Sequence, residues 1–223
     1  MTDTLVSWSG GKDSAMALAA ALADDDRRVV GLLSSVGPDG IVSIHGVDRS
    51  LLEAQAAALD LPLTIVTLPR GSSNEAYQQA HVDALRGPIA DGVTWVTTGD
   101  LHLADVRAFR ERVLAAAGVG MHVPLWGLPP AELAARIIDA PVQAVVCAVD
   151  TTQLDASFVG RRYDHAFVAD LPAGSDPCGE GGEFHTFVTD GPGFAAPVEV
   201  TVGQPVLADG RFAQAPLTLR SAD

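Results

Sequence analysis

The chain has 223 residues, 48% of them hydrophobic, enough for one large domain or two small ones around a buried core. With 28 acidic against 14 basic residues the net charge is −14, which argues against binding nucleic acid through a basic footprint. Its two cysteines, Cys147 and Cys178, make neither a disulfide framework nor a zinc site, and no signal peptide or long apolar span is present, so the expected location is cytoplasmic, away from membranes.

Leu5-Val6-Ser7-Trp8 predicts a first strand, and Ala15 to Ala23 a helix of strong helix formers. Between them lies Ser9-Gly10-Gly11-Lys12-Asp13-Ser14. The amides of a first helical turn lack intrahelical partners, and the helix dipole adds partial positive charge there. Two glycines allow close backbone approach, and Lys12, the only lysine in the chain, adds a charge. The stretch therefore reads as a socket for phosphate. It is not a Walker loop, because Val6 replaces the first glycine and Asp13 follows Lys12; nor is it a dinucleotide fingerprint, because Gly10 and Gly11 are adjacent.

Val29 to Ser34 predicts a second strand, followed by a loop through Gly37-Pro38-Asp39-Gly40 and by Ile41-Val42-Ser43-Ile44 leading to His45. Asp48 reads as the N-cap of a helix to Leu59. Leu63 to Leu68 predicts a third strand, Glu75 to Leu85 a helix capped by Ser73 or Asn74, and Val93 to Thr98 a fourth strand ending at Gly99-Asp100. This alternation predicts an α/β fold, a parallel sheet with helices on both faces. Ligands of such sheets bind beyond the strand carboxyl ends, here the Ser9–Ser14 loop, Ser34-Ser35, Pro69-Arg70-Gly71 and Gly99-Asp100. On the helix Ala104 to Ala116, Arg107 and Glu111 share a face, either as a surface ion pair or as a reach toward the site. Pro130 to Ile138 predicts a short helix and Ala144 to Val149 a buried strand, with loop from there to Gly193 and short strands in the tail. The division expected is a nucleotide-binding domain over 1–117 and a smaller mixed α/β lobe over 118–223.

The second chemistry-bearing stretch is Asp176-Pro177-Cys178-Gly179-Glu180-Gly181-Gly182-Glu183-Phe184-His185-Thr186. Glu180 and Glu183 could hold Mg²⁺, orient an amine or serve as general base; the alternative is a surface glycine turn with solvated acids.

The S-G-G-K-D-S loop resembles the S-G-G-x-D-S signature of the PP-loop ATP pyrophosphatases. Together with Gly99-Asp100, Pro124-Leu125-Trp126, the Cys178–Thr186 loop and the segment from His45 to Gln55, it resembles the diphthine–ammonia ligase family, in a bacterial-type variant. The resemblance implies a HUP-like nucleotide-binding domain and an ATP-dependent ligase that adenylates a carboxylate and releases AMP and pyrophosphate, with ammonia as nucleophile. It implies ATP contacts from Ser9, Gly10, Gly11, Lys12, Asp13, Ser14, Ser34, His45, Gly99 and Asp100, and Mg²⁺ at Asp13 or Asp100. The catalytic set it implies is Lys12, Asp13, Glu180 and Glu183. His185 departs from the acidic residue often found in the archetypal members. The carboxylate substrate, a small molecule or a protein side chain, and a homodimeric assembly stay open. Rival expectations are a non-catalytic ATP-binding regulator and a tRNA-modifying PP-loop enzyme.

Overall fold

The computed structural model describes residues 1–42 and 45–220. In chain order it runs β1 (Thr2–Ser7), α1 (Lys12–Leu22), β2 (Arg27–Val36), a small hairpin of β3 (Ile41–Val42) and β4 (Val47–Asp48), and α2 (Arg49–Ala58). There follow β5 (Leu63–Thr67), α3 (Asn74–Ala90), β6 (Trp95–Thr97), α4 (Ala104–Ala117) and β7 (Gly120–His122). Ser43 and Ile44, on the expected approach to His45, lie outside the described residues. Asp48 caps α2 by accepting the Ser50 amide at 2.8 Å, and Ser73, not Asn74, caps α3 by accepting the Ala76 amide at 3.2 Å. Helix α3 runs past the expected end at Leu85 to Ala90, with Pro88 inside its last turn, where the ring supplies no donor and crowds the carbonyl one turn back.

The parallel sheet has the order β5-β2-β1-β6-β7. Successive strand residues face opposite sides. Val6, Leu32 and Val36 pack with Leu18 of α1 and Leu52 of α2, while Leu5, Leu33, Val66 and Val96 pack with Leu85 of α3 and Leu114 of α4. Helices thus cover both faces, and the strand order reverses between β1 and β6. That reversal opens a crevice at their carboxyl ends, where the Ser9–Ser14 loop and Gly99-Asp100 meet. Strand β7, in the stretch assigned from sequence to the second lobe, pairs with β6 and forms an edge of this sheet.

The second half comprises α5 (Pro130–Asp139), β8 (Gln143–Asp150), a 3₁₀ turn at Ala156–Phe158, α6 (His165–Asp170), β9 (Phe184–Asp190), β10 (Val200–Val202), β11 (Val206–Ala208), β12 (Phe212–Gln214) and β13 (Leu217–Leu219). Strands β11-β12-β8-β9 form an antiparallel sheet, and β10 pairs with β13. The stretch expected to be loop up to Gly193 thus contains a seven-residue strand, β9. Its aromatic and β-branched residues favour a strand, a signal masked in the sequence by the glycine run before it. Phe184 and Phe187 are fully buried in a core shared with Val6, Leu18 and Leu52, so the two lobes form one hydrophobic interior.

Gln55 ties the lobes at the crevice. It is fully buried; its Oε1 accepts the Trp8 indole N–H at 2.8 Å, and its Nε2 donates to the Gly10 carbonyl at 3.1 Å and the Val188 carbonyl at 2.6 Å. Replacing it by leucine would strand one donor and leave two carbonyls short of a bond in a water-free interior. Gln55→Leu should therefore lose about 3 kcal/mol of stability, read as a lower urea midpoint at unchanged slope.

Candidate active site

The Ser9–Ser14 loop is pinned by strand β9 of the second lobe. The Val188 amide donates to the Gly10 carbonyl at 2.8 Å, and the Lys12 amide donates to Thr186 Oγ1 at 3.1 Å. The Gly11 amide donates to Ser9 Oγ at 3.3 Å, and Ser14 Oγ donates to the Gly11 carbonyl at 2.8 Å. The next amides of α1, those of Asp13 and Ser14, have no intrahelical acceptor and complete the anion socket. Gly99 permits this approach, because a Cβ there would lie 2.7 Å from the Asp13 carbonyl oxygen.

Two cavities adjoin at the loop. One, of about 240 Å³, is lined by Ser9, Gly11, Lys12, Asp13, Ser14, Asp100, Arg110, Glu180, His185 and Thr186. The other, of about 300 Å³, lies on the α3/α4 side and is largely apolar, with Leu33, Leu68, Val96, Val113 and Leu114 beside Ser35, Tyr77, His81 and Thr98. Ser7, Ser9, His45 and Arg110 line both.

Most of the predicted residues converge here, with three corrections. Lys12 is not an exposed charge at a helix start. It is 2% exposed, and its ammonium bonds Asp13 Oδ2 at 2.8 Å and the Cys178 carbonyl, close to the rings of Phe184 and Tyr163. Burial pulls the ammonium toward neutrality most strongly of any single cause, but the acidic groups around it, Asp13 foremost, together outweigh it and hold the group above its ordinary value. Ser34 points away from both cavities and donates to the Trp8 carbonyl at 2.6 Å; the strand alternation turns Ser35 into the apolar cavity instead. Glu183 does not line either cavity. It lies on the outer side of its loop, with Oε1 accepting the Asp176 amide at 3.0 Å.

Asp100 is 8% exposed and pairs with Arg110 at 3.3 Å. The sequence reading did not assign Arg110 to the site; the i,i+4 pair weighed there, Arg107–Glu111, is a surface ion pair at 2.8 Å, with Arg107 stacked on Trp126. The ten-residue spacing from Asp100 would have found Arg110 only if α4 were known to turn back over the strand end. His45 stacks on His185 with ring centroids 4.5 Å apart. Burial, then the Lys12 charge, lowers His45 to about 4; burial, then His45 and Lys12, lowers His185 to about 2, so both rings are neutral at pH 7. His45 Nδ1 and His185 Nε2 are buried with no partner among the described residues. Burial pushes the Cys178 thiol up to about 12, so it stays protonated and is no nucleophile. Burial, reinforced by Asp13, pushes Glu180 up to about 7.

Asp13 Oδ1 is buried and unpartnered among the described residues, a carboxylate oxygen fit for a metal held jointly with phosphates. No group of three or more His, Cys, Asp or Glu side chains among those residues forms a metal cage.

A doubly wound sheet with a glycine turn and a helix start at its switch point, closed by a carboxylate loop from a second lobe, is the plan of a PP-loop nucleotide-binding protein. The family models specify it further: the diphthamide synthase N-terminal domain matches residues 2–121 and the diphthamide synthase C-terminal domain residues 129–209. The chain belongs to the diphthamide synthase family, a group of PP-loop ATP-utilising enzymes. No individually curated protein matches it in sequence. No helix among the described residues is long and apolar enough to cross a membrane.

Two expectations follow. Lys12→Met would leave the Asp13 carboxylate and the Cys178 carbonyl without their cation. It should cost about 2–3 kcal/mol in urea unfolding and weaken nucleotide binding as well; unchanged stability would mean the ammonium does not hold the lobes together. Glu180 titrates near 7 when folded and near its ordinary 4.5 when unfolded, so the folded chain holds the extra proton between those values. Its contribution to stability is intact below 4.5, falls as pH rises to 7, and stays lost above. Glu180→Gln should thus be more stable than wild type at pH 8, by on the order of 1 kcal/mol after allowance for the part-exposed carboxyl, and equal to it near pH 4.

Proposed function

We propose that the chain is an ATP-dependent amide-forming ligase that activates a carboxylate as its adenylate and releases AMP and pyrophosphate. The observation carrying this reading is the pairing of the anion socket with Glu180, a carboxyl raised to about 7 in the same cavity. A group that titrates near neutrality can take a proton from an incoming amine and pass it on.

In this reading the apolar cavity receives the nucleoside, with Thr98 Oγ1 and His45 Nδ1, both buried and without a partner among the described residues, available to the base or sugar. The loop amides receive the β and γ phosphates as a leaving group. Mg²⁺, where bound at Asp13, would neutralise phosphate charge. Asp100 positions Arg110, whose guanidinium lines both cavities at the expected place of the α-phosphate. The substrate carboxylate oxygen attacks the α-phosphorus, and the bond to the bridging oxygen breaks as pyrophosphate leaves. The amine nitrogen then attacks the acyl carbon, AMP leaves, and Glu180 takes the proton. Lys12 serves by fixing the loop from beneath. The partner is a carboxylate-bearing small molecule or protein side chain.

The test is the fate of the nucleotide. With ATP, Mg²⁺, ammonium and carboxylate candidates, enzyme-dependent products should be AMP and pyrophosphate by ion-exchange chromatography. ADP and phosphate would rule the reading out. The rate should climb through pH 7 as Glu180 ionises, and Glu180→Gln should lose that limb together with at least about 100-fold in rate.

A further inference from the structure

The glycine loop has a second working side. Glu180 faces the phosphate cavity, whereas the outer side of the loop closes a separate basin of about 610 Å³, lined in part by His102, Pro130, Asp176, Gly181 and Glu183. Glu183 is 7% exposed; Oε1 accepts the Asp176 amide, but Oε2 is buried with no partner among the described residues. A buried carboxylate oxygen without a donor is costly, and a bound donor would recover that cost. The seat is shaped by a missing side chain: a Cβ on Gly181 would fall 2.9 Å from Glu183 Oε1 and 3.0 Å from Oε2.

The surroundings define the ligand. Asp176 Oδ1 accepts the Cys178 amide at 2.7 Å, and Oδ2 lies 3.7 Å from His102 Nε2. Among the described residues no lysine or arginine lines the basin. The ligand must therefore donate hydrogen bonds, carry positive charge and present a head small enough to reach Oε2 beside bare backbone. A protonated amine has three donors and no acceptor, and meets all three demands. The net charge of −14 favours cations near such a site.

We propose that Glu183, aided by Asp176, forms a seat for a protonated amine, the nitrogen donor of the ligation, on the outer side of the loop whose inner side carries Glu180. Only Gly181 and Gly182 separate the two glutamates in sequence. The donor role rests on the ligase reading; the seat itself does not.

The experiment is amide NMR of the full chain titrated with ammonium chloride, with methylammonium chloride and with sodium chloride at matched ionic strength. The Asp176 and Gly181 amides should shift saturably with ammonium and not with sodium, and Glu183→Gln should weaken that binding about ten-fold or more while ATP affinity stays unchanged. Asp176→Asn, which keeps an oxygen for the Cys178 amide, should weaken it several-fold and serves if Glu183→Gln fails to fold. Equal binding of methylammonium points to an alkylamine donor, and its exclusion to ammonia; either supports the seat. Shifts reproduced by sodium, or undiminished in the variants, overturn it. If ATP gives ADP and phosphate while ammonium still binds, the donor role falls and the seat stands. If AMP and pyrophosphate form without ammonium binding, the seat falls and the ligase reading stands.

Discussion

The structure depends on the way β9 grips the Ser9–Ser14 loop from behind. A glycine turn at a helix start has amides to offer an anion, but its carbonyls must also be satisfied, and the turn alone cannot do so. Here the Gly10 carbonyl takes the Val188 amide and the Gln55 amide, while Thr186 receives the Lys12 amide. The loop is thus shaped by residues more than 170 positions away, and the two lobes cannot separate without unmaking the socket. The shared core enforces this, because Phe184 and Phe187 on β9 bury themselves among Leu18 and Leu52. Burial of side chains of that size is worth about 2–3 kcal/mol each.

Lys12 belongs to the same clamp. Its ammonium reaches down to the Cys178 carbonyl and fixes the start of the carboxylate loop relative to the socket. Tyr163 adds a second anchor through its hydroxyl, which donates to the Pro177 carbonyl at 2.8 Å. Glu180 is thereby held between two tethered ends, at Cys178 and at β9, with its carboxyl turned to the phosphate cavity. In the proposed reaction Glu180 is the base that meets an acyl carbon, and such a base gains from being held in place before the substrate arrives.

What the sequence made legible was local. The strand–turn–helix order, the Asp48 cap and the strand ends that carry the crevice all follow from short-range patterns. The errors came where a side chain's direction depends on a partner far along the chain. Ser34 and Ser35 both lie near the end of a strand, and only the packing of Leu32 under α1 and α2 decides which one faces the cavity. Glu180 and Glu183 share one motif, yet the positive-φ turns at Gly179 and Gly182 send their carboxyls to opposite sides. Arg110 enters the site only because α4 brings it within 3.3 Å of Asp100, just beyond the end of β6. Strand β9 was hidden because its glycine-rich neighbour made the whole stretch read as loop.

The charges of the crevice explain how an acidic protein could hold a polyphosphate. Lys12 is spent on Asp13 and Arg110 on Asp100, so the two nearest cations are already balanced. His45 and His185 are neutral, because burial costs an imidazolium more than the site returns. Glu180 is partly protonated at neutral pH for the same reason. Side chains therefore bring the cavity close to electrical neutrality, and the backbone dipoles at the α1 start are the attraction for an anion that no side chain has already balanced. Such dipoles are fixed by the fold and need no reorientation as charge moves onto a leaving group. This also makes the clamp by β9 a functional element: once cationic side chains are balanced, the orientation of a few amides decides how well the loop can hold an anion.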